Sequence, residues 1–453
     1  MRVRSAAFEP HDATRMTETT TARDPALAAR LETARRLADG GRILEAEQAF
    51  LEILRESPRE VDALNFVAIV AHERGRYAQA LALLERARGA NPDDPITLTN
   101  LGTTHAALGR FDQAIEAQRA ALKAAPDLYL ARLRLGEALE QSGRTIDALA
   151  NYFGAIFTAQ GAGQWLSDAT TMPGLRPLVQ HAMRTVAAGR RRLFSGLLEP
   201  LRAKYGAAAL ARVEKCLAVY LTELPANFPD PAQRPKFLYF PDLPTKKFYG
   251  RELFPWYDAL ESRADAIRDE MRAVLAEDSG FEPFLGHFDD QQLEGHLANA
   301  RGGKPVWNAF FFYRHGERFD ANHARCPQTS AALDGVPLCF VRDHSPETCY
   351  SVLTAGSHIL PHHGVTNTRL VTHLALIVPE DCALVVGGES HGWEEGRCFT
   401  FDDTFEHEAW NRSAKTRVVM LMDVWNPYLT DVEREALQSL VVAIGEFNLE
   451  AGL

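Results

Sequence analysis

The stretch from Gly356 to Arg417 begins GSHILPHHGVTNTRLVTHLALIVPEDCALVVGG and ends FTFDDTFEHEAWNRSAKTR. Six of the chain's 15 histidines fall inside it, among short runs of apolar and β-branched residues that Pro, Gly and Asp separate. Such a pattern is typical of short antiparallel strands joined by turns. Imidazole is the commonest neutral ligand for first-row metals. The stretch therefore predicts strands that present histidines into a metal-binding pocket.

Other strand-like runs lie inside this stretch and on both sides of it. They are VWNAFFFYR, ETCYSVLTA, TRLVTHLALIV, ALVVG, RCFTF and TRVVMLMDVW, between residues 306 and 425. Because no helix separates them, a parallel βαβ sheet is excluded and a sandwich or barrel is favoured. An amphipathic helix is expected before them at 254–277, bracing the sheet, and another after them at 433–447.

A repeat of 34 residues occupies the N-terminal third of the chain. Three series keep this period: Gly-Arg at 41–42, 75–76, 109–110 and 143–144; Ala46, Ala80, Ala114 and Ala148; and Pro58, Pro92 and Pro126. Helix, Gly turn, helix and closing Pro at this period are the tetratricopeptide pattern. About four repeats are predicted, as a solenoid that binds a peptide or protein; a purely structural or dimerising array is the alternative.

These patterns divide the chain into four expected segments. They are a disordered tail (1–23), a tetratricopeptide repeat domain (24–160), a helical connector (161–230) and a β-rich domain (231–453). The tail is polar and Thr-rich without periodicity, and the Pro-rich PANFPDPAQRPKFLYFPDLP marks the last boundary.

Composition restricts the partners and the compartment. A net charge of -11 argues against nucleic acid or an anionic membrane as the main partner, because both require a basic surface. Six scattered cysteines indicate a reducing compartment, although Cys326 and Cys339 could pair. The N-terminus lacks an apolar signal region, and no run of ~18 apolar residues could span a membrane. A cytoplasmic protein is expected.

Two histidines and an arginine have the spacing of an oxygenase site. His362 lies just before an expected strand, His407 follows 45 residues later, and Arg417 begins the next strand ten residues after His407. A cation at this distance after the second histidine is how double-stranded β-helix oxygenases hold the distal carboxylate of 2-oxoglutarate, because guanidinium binds carboxylate in a bidentate fork.

The carboxylate of the usual 2-His-1-carboxylate triad is missing. It would stand two residues after the first histidine, where this chain has Gly364. Either the metal lies elsewhere, or two histidines hold it and leave an extra open position. Asp402 and Asp403 could supply a carboxylate, but capping of backbone amides in a turn is the more common role of such residues.

Two motifs resemble those of the aspartyl/asparaginyl β-hydroxylase family of iron(II)- and 2-oxoglutarate-dependent oxygenases. Members carry PH-x-G-x-TN, with Gly in place of the carboxylate, and FDD-x-FEHE-x-W; this chain has PHHGVTN and FDDTFEHEAW. The resemblance extends more weakly upstream, to cover roughly residues 235–430. Animal members also carry tetratricopeptide repeats ahead of the oxygenase domain.

The resemblance implies roles for individual residues. His362 and His407 would bind iron, and Arg417 with Ser351 would hold the distal carboxylate of 2-oxoglutarate. His373 would lie near the cosubstrate. Arg369 shares a strand face with His373 and is the other candidate for cosubstrate binding. Val371, between them, stands where the animal enzymes have Arg, so the grip on a substrate or cosubstrate carboxylate should differ here.

The expected fold is α+β and multidomain, with an α-solenoid of tetratricopeptide repeats followed by a double-stranded β-helix (jelly-roll, cupin-like) domain. By resemblance, the catalytic residues are His362, His407 and Arg417, and the cofactors are Fe(II), 2-oxoglutarate and O2. The expected reaction is hydroxylation of an Asp or Asn side chain in a peptide or protein that the repeats recruit. The alternatives are the same chemistry on a small molecule or lipid, and a repeat scaffold without catalysis.

Overall fold

The computed structural model describes residues 24–286, 290–302 and 304–453. By internal contacts the chain divides into two compact units, one ending at Arg192 and including Gly445–Leu453, the other Leu193–Ile444. The expected tail at 1–23 lies outside the described residues. The expected boundaries at 160 and 230 stay predictions, and the division by contacts does not fall at the Pro-rich stretch.

The first unit contains four helix pairs that follow the 34-residue period. Their bounds are α1 Pro25–Asp39, α2 Ile43–Glu56, α3 Val61–Glu73, α4 Tyr77–Ala90, α5 Pro95–Ala107, α6 Phe111–Ala124, α7 Tyr129–Gln141 and α8 Thr145–Gly161. The four periodic alanines are at most 1% exposed, at the contact between paired helices. The glycine of each Gly-Arg turn has a positive φ of 71–85°, which favours Gly. The tetratricopeptide prediction is confirmed.

The remaining helices precede, interrupt or follow the strands. They are α9 Arg176–Tyr205, α10 Ala211–Tyr220, α11 Tyr257–Glu261, α12 Ala264–Glu277, α13 Asp290–Glu294, α14 Asp320–Arg325, α15 Pro327–Leu333 and α16 Asp431–Ala451. The helix expected at 254–277 is therefore two helices, α11 and α12.

Two antiparallel sheets lie in the second unit. The strands are β1 Phe248–Tyr249, β2 Glu282–Pro283, β3 Leu297–Asn299, β4 Trp307–Arg314, β5 Glu317–Arg318, β6 Thr348–Leu353, β7 Ser357–His362, β8 Arg369–Ile377, β9 Cys382–Val386, β10 Glu389–His391, β11 Cys398–Phe401, β12 His407–Asn411 and β13 Arg417–Trp425. The larger sheet has the order β1-β11-β8-β13-β6-β4-β2, with β5 beside β4, and the smaller has β10-β9-β12-β7-β3. This β-rich domain after the repeats confirms the predicted fold class.

The central strand β13 is buried on both faces. Val418, Met420 and Met422 pack with α12 on one side of the larger sheet. Val419 and Leu421 point to the other side, where they join apolar residues of the smaller sheet. Period-2 alternation therefore assigns odd-numbered β13 residues, including Arg417, to the space between the sheets.

Two expectations about the whole chain can be compared with the structure. Cys326 and Cys339 are both buried free thiols, so they do not pair. No described helix is long and apolar enough to cross a membrane.

Candidate active site

Strand pairing brings His362 and His407 together. His362 is the last residue of β7, rather than lying before a strand, and His407 is the first of β12. The two residues are direct partners in the antiparallel ladder. Their ring centroids are 4.0 Å apart, with an angle of 50° between the ring planes. Two imidazoles that lie 45 residues apart in sequence thus share one location.

Hydrogen bonds fix both rings in the same tautomer. Nδ1 of His362 is 2.8 Å from the Leu360 carbonyl oxygen, and Nδ1 of His407 is 3.0 Å from that of Phe405. A carbonyl only accepts, so each Nδ1 carries a proton and each Nε2 has a free lone pair. Burial lowers the pKa of His362, and it lowers the pKa of His407 to about 4. Backbone carbonyls thus orient both rings and leave both Nε2 atoms available, which is how histidine ligands of metals are commonly held.

The space that a side chain at position 364 would occupy is taken by Asp403, which lies in the connection between β11 and β12. A Cβ on Gly364 would lie 2.2 Å from Cγ of Asp403. The Gly364 N–H donates to the Asp403 carbonyl at 2.6 Å. Asp403 Oδ1 is buried without a hydrogen-bond partner. Among the described residues there is no cluster of three or more His, Cys, Asp or Glu side chains with metal-ligand geometry. The site thus offers two imidazoles with one carboxylate beside them.

The two neighbouring aspartates have different roles. Asp402 Oδ1 accepts the Thr404 N–H at 2.9 Å, so the prediction of a turn cap is right for this residue. It is wrong for Asp403, whose Oδ2 lies 3.0 Å from Nη2 of Arg369. Sequence reasoning undervalued Asp403 because its partner is 34 residues away along the chain.

Arg369 bridges two buried carboxylates. Its Nη1 is 3.0 Å from Oδ1 of Asp423, opposite its bond to Asp403. All three side chains are at most 13% exposed. Arg369 therefore already has two carboxylate partners. Its expected role in cosubstrate binding stays a prediction.

Arg417 is the contrasting cation. It is 1% exposed, and its Nε and Nη1 are buried without a hydrogen-bond partner. Its guanidinium carbon lies 5.0 Å from the ring centroid of Trp393. Burial lowers its pKa to about 10, which still leaves it charged at neutral pH. Within residues 24–286, 290–302 and 304–453, no carboxylate pairs with it. Because an uncompensated buried charge costs several kcal/mol, this site is suited to an anionic ligand.

The neighbours of Arg417 supply polar groups on the same sheet face. Ser351 pairs with Val419, two residues from Arg417, and its Oγ accepts from Nε1 of Trp307 at 2.9 Å. His373 pairs with Leu421. Nδ1 of His373 accepts from Nε1 of Trp393 at 3.2 Å. Burial, and then the charge of Arg417, hold the pKa of His373 well below its ordinary value. His373 is therefore neutral, with a proton on Nε2.

Sequence reasoning missed Trp393. This residue contacts both Arg417 and His373, yet it lies in the turn-like segment HGWEEG, outside any strand. The available signal was a Trp, a residue type that is largely buried on average, among Gly and Glu. Of the other histidines, His358 pairs with Glu408 at 2.7 Å and His391 stacks on Phe248.

Val371 lies on the same face as Arg369 and His373, as their spacing predicts. Its strand partner is Asp423, and it is buried in the apolar cluster between the sheets. The structure thus has an apolar side chain at this point of the interior. Arg417 remains the one described arginine of this face without a carboxylate partner.

By its fold, this protein is a repeat protein of the tetratricopeptide class that continues into an antiparallel β-sandwich with a histidine pair. Comparisons with known proteins give the family. Residues 261–427 match the model of the aspartyl/asparaginyl beta-hydroxylase family, and residues 11–95 and 71–128 match tetratricopeptide repeat models. The mouse aspartate beta-hydroxylase domain-containing protein 2 is 32% identical over 54% of this chain and 69% of its own length. The chain belongs to the aspartyl/asparaginyl beta-hydroxylase family.

Other relatives have related names. Human aspartyl/asparaginyl beta-hydroxylase is 33% identical over 40% of this chain and 22% of its own length. The Rhizobium tropici ornithine lipid ester-linked acyl 2-hydroxylase is 34% identical over 40% of this chain and 60% of its own length. The solved structure of MamA matches 30% of this chain and 80% of that chain, at 19% identity and a TM-score of 0.28. The family relationship identifies an enzyme of the hydroxylase type, with repeats that indicate protein–protein interaction.

Proposed function

We propose that this protein is an iron(II)- and 2-oxoglutarate-dependent dioxygenase that hydroxylates an Asp or Asn side chain of a peptide or protein. The observation that carries the proposal is Arg417, a buried cation without a described anion. Its charge acts on His373 together with that of His407, the strand partner of His362. A ligand that supplies the anion would remove the cost of burying this charge.

The side chains present fit iron and the cosubstrate. Nε2 of His362 and of His407 would hold the metal, because both lone pairs are free and both Nδ1 protons are already engaged. Arg417 would bind the distal carboxylate in a bidentate fork, and Ser351 would add a hydroxyl. His373 would offer its Nε2 proton to an oxygen of the same ligand.

When bound, iron(II) and 2-oxoglutarate supply the conversion of 2-oxoglutarate, O2 and a C–H bond into succinate, CO2 and a C–OH. The protein's part is to bind and orient. Asp403, held by Arg369, has one buried carboxylate oxygen without a hydrogen-bond partner, and its charge acts on both imidazoles. The apolar cluster of Val371, Phe401 and Phe405 excludes water from the interior.

Anaerobic titration tests this proposal directly. Purified protein should bind iron(II), then 2-oxoglutarate, and should release succinate when O2 is admitted. Candidate Asp and Asn peptides should increase the rate. Succinate release that does not depend on iron, or 2-oxoglutarate binding that does not require Arg417, would contradict it.

A second candidate keeps the chemistry but changes the substrate. Among the described residues, the apolar Val371 stands where a second cation could bind an acidic side chain, and one relative is named as a lipid acyl 2-hydroxylase. An acyl chain would suit an apolar interior. The repeats favour the polypeptide, because a solenoid binds extended chains. Comparing peptides with acyl lipids in the succinate assay separates the two. A scaffold without catalysis is the least favoured alternative, since it has no use for an unpaired buried arginine.

A further inference from the structure

The segment Gln233–Phe240, here called the strap, contacts the chain segment that follows His362 and the chain segment that precedes His407. It precedes the sheet and lies outside residues 261–427, which match the family model. Its sequence, QRPKFLYF, has no helical or strand periodicity. It forms isolated bridges at two places, Gln233 with Phe405 and Leu238 with Thr366.

The strap is hydrogen-bonded to the segment that follows His362. Lys236 N–H donates to the Gly364 carbonyl at 3.1 Å. Phe237 and Leu238 both donate to the Val365 carbonyl, at 2.9 and 3.0 Å. The side chain of Asn367 then forms a two-way bond with the backbone of Phe240: Oδ1 accepts from N–H and Nδ2 donates to the carbonyl, each at 2.8 Å.

The strap is also hydrogen-bonded to the segment that precedes His407. Arg234 N–H donates to the Thr404 carbonyl at 2.8 Å. Gln233 Nε2 donates to Oδ2 of Asp402, also at 2.8 Å. Both of these side chains are at most 1% exposed. The same segment ends at Phe405, whose carbonyl oxygen accepts a hydrogen bond from Nδ1 of His407.

These contacts explain two residues of the sequence motifs that do not belong to the histidine pair. Asn367 closes the first motif and Asp402 begins the acidic pair of the second, yet neither faces the imidazoles. Both hold the strap instead. Apart from the strap, the two segments are joined near the ligands by the bond from Gly364 N–H to Asp403 and by the pairing of β7 with β12.

We infer that the strap sets the separation of His362 and His407, and that Asn367 and Gln233 are positioning residues for the metal. The inference rests on the proposed function, because it requires that the two imidazoles bind a metal. Groups that orient metal ligands without touching the metal typically change affinity by about 10- to 100-fold when removed.

Cobalt(II) is the probe, since its visible spectrum reports the ligand geometry independently of catalysis. Asn367→Ala and Gln233→Ala, each in the full chain, should weaken cobalt affinity by about 10- to 100-fold in competition with a fluorescent chelator. The visible bands should shift in the same variants.

Asn411→Ala is the matched control. Asn411 is also fully buried, and its Nδ2 donates to the carbonyls of Leu353, Thr354 and Lys415, away from the strap. Its loss should lower the melting temperature but leave cobalt affinity and the spectrum unchanged. If Asn367→Ala does not fold, Gln233→Ala decides the question alone.

The results separate two kinds of failure. If the unaltered protein binds no cobalt, the proposed function is wrong, and the strap inference with it. If the unaltered protein binds cobalt and the strap variants bind it equally well with the same spectrum, only the strap inference is wrong. An equal loss of affinity in Asn411→Ala would also overturn it, because the effect would then be general destabilisation.

Discussion

Arg417, which is buried, and Arg369, which is largely buried, lie on one sheet face, and their surroundings assign them opposite roles. Arg369 already has two carboxylates, whereas Arg417 has two nitrogens without a partner. Arg417→Met should weaken 2-oxoglutarate binding by tens- to thousands-fold, the equivalent of about 2–5 kcal/mol for one lost partner of a buried charge pair. Iron(II) affinity should stay unchanged. Calorimetric titration of both ligands under argon measures the two effects separately.

Arg369→Met is the control, and stability is the measurement that distinguishes it. Removing Arg369 leaves Asp403 and Asp423 buried without their partner, which should cost about 3–5 kcal/mol of unfolding free energy. Removing Arg417 from the ligand-free protein removes an uncompensated charge and should cost far less. A larger stability loss for Arg417→Met than for Arg369→Met would contradict both assignments.

Gly364 shows why a carboxylate triad cannot simply be restored in this site. Asp403 occupies the space of a side chain at this position, since a Cβ would lie 2.2 Å from its Cγ. Gly364→Asp should therefore displace Asp403 and cost about 1–3 kcal/mol through overpacking. Metal affinity should fall, despite the added ligand. A higher metal affinity in this variant would show that the Asp403 side chain moves aside at little cost.

The two imidazoles should resist proton competition. The pKa of His407 is lowered to about 4 by burial and then by the neighbouring His362, and burial also lowers the pKa of His362. A proton on Nε2 excludes the metal, so a lowered pKa moves competition to lower pH. Iron(II) affinity should therefore begin to fall at a lower pH than it would for an exposed pair, which would begin to lose affinity near 6.5. A tenfold loss between pH 7.5 and 6 would contradict this expectation.

Among the elements, those with strong periodicity could be predicted from the sequence. The 34-residue repeat predicts four helix pairs, and alternation predicts the long strands β4, β8 and β13. Strand β7 was missed because Pro361 and three polar residues interrupt its alternation. The strap has no period at all, since contacts with distant residues alone define it. The ion pair of Asp403 and Arg369 could not be predicted either, because it depends on strand register, which brings residues distant in sequence together.

Within the repeats, close helix contact gives a prediction about single methyl groups. A Cβ on Gly136 of α7 would lie 2.6 Å from the ring of Tyr152 on α8, which is fully buried. Gly136→Ala should therefore lower the unfolding free energy by about 1–3 kcal/mol. Gly89 of α4 has open space around it. Gly89→Ala should raise stability by about 0.5–1 kcal/mol, as helix propensity dictates. Thermal melts check both signs, and a stable Gly136→Ala would show that the helices can separate locally.

On the scale of the whole molecule, the repeats and the β-rich unit should have separable functions. The unit Leu193–Ile444 contains every residue assigned to the metal, the cosubstrate and the strap. It also keeps the bond between Arg212 and the buried Glu433, at 2.6 Å, which a fragment beginning at 231 would lose. The fragment 193–444 is therefore the better test of what the repeats contribute. Circular dichroism must first show that it folds, because both of its ends lie within helices.

The folded fragment should bind iron(II) and 2-oxoglutarate as the full chain does, because it contains every group that we propose to hold them. It should lose turnover of long polypeptides more than of short peptides. A second binding site on the same chain raises the local concentration of a long substrate and can increase avidity by about 10²-fold or more, whereas a short peptide cannot reach both sites. The ratio of kcat/KM for a long substrate to that for a short one, compared between fragment and full chain, is the measurement. An unchanged ratio would mean that the repeats do not recruit the substrate, and the apolar interior around Val371 would then favour a small-molecule or lipid substrate.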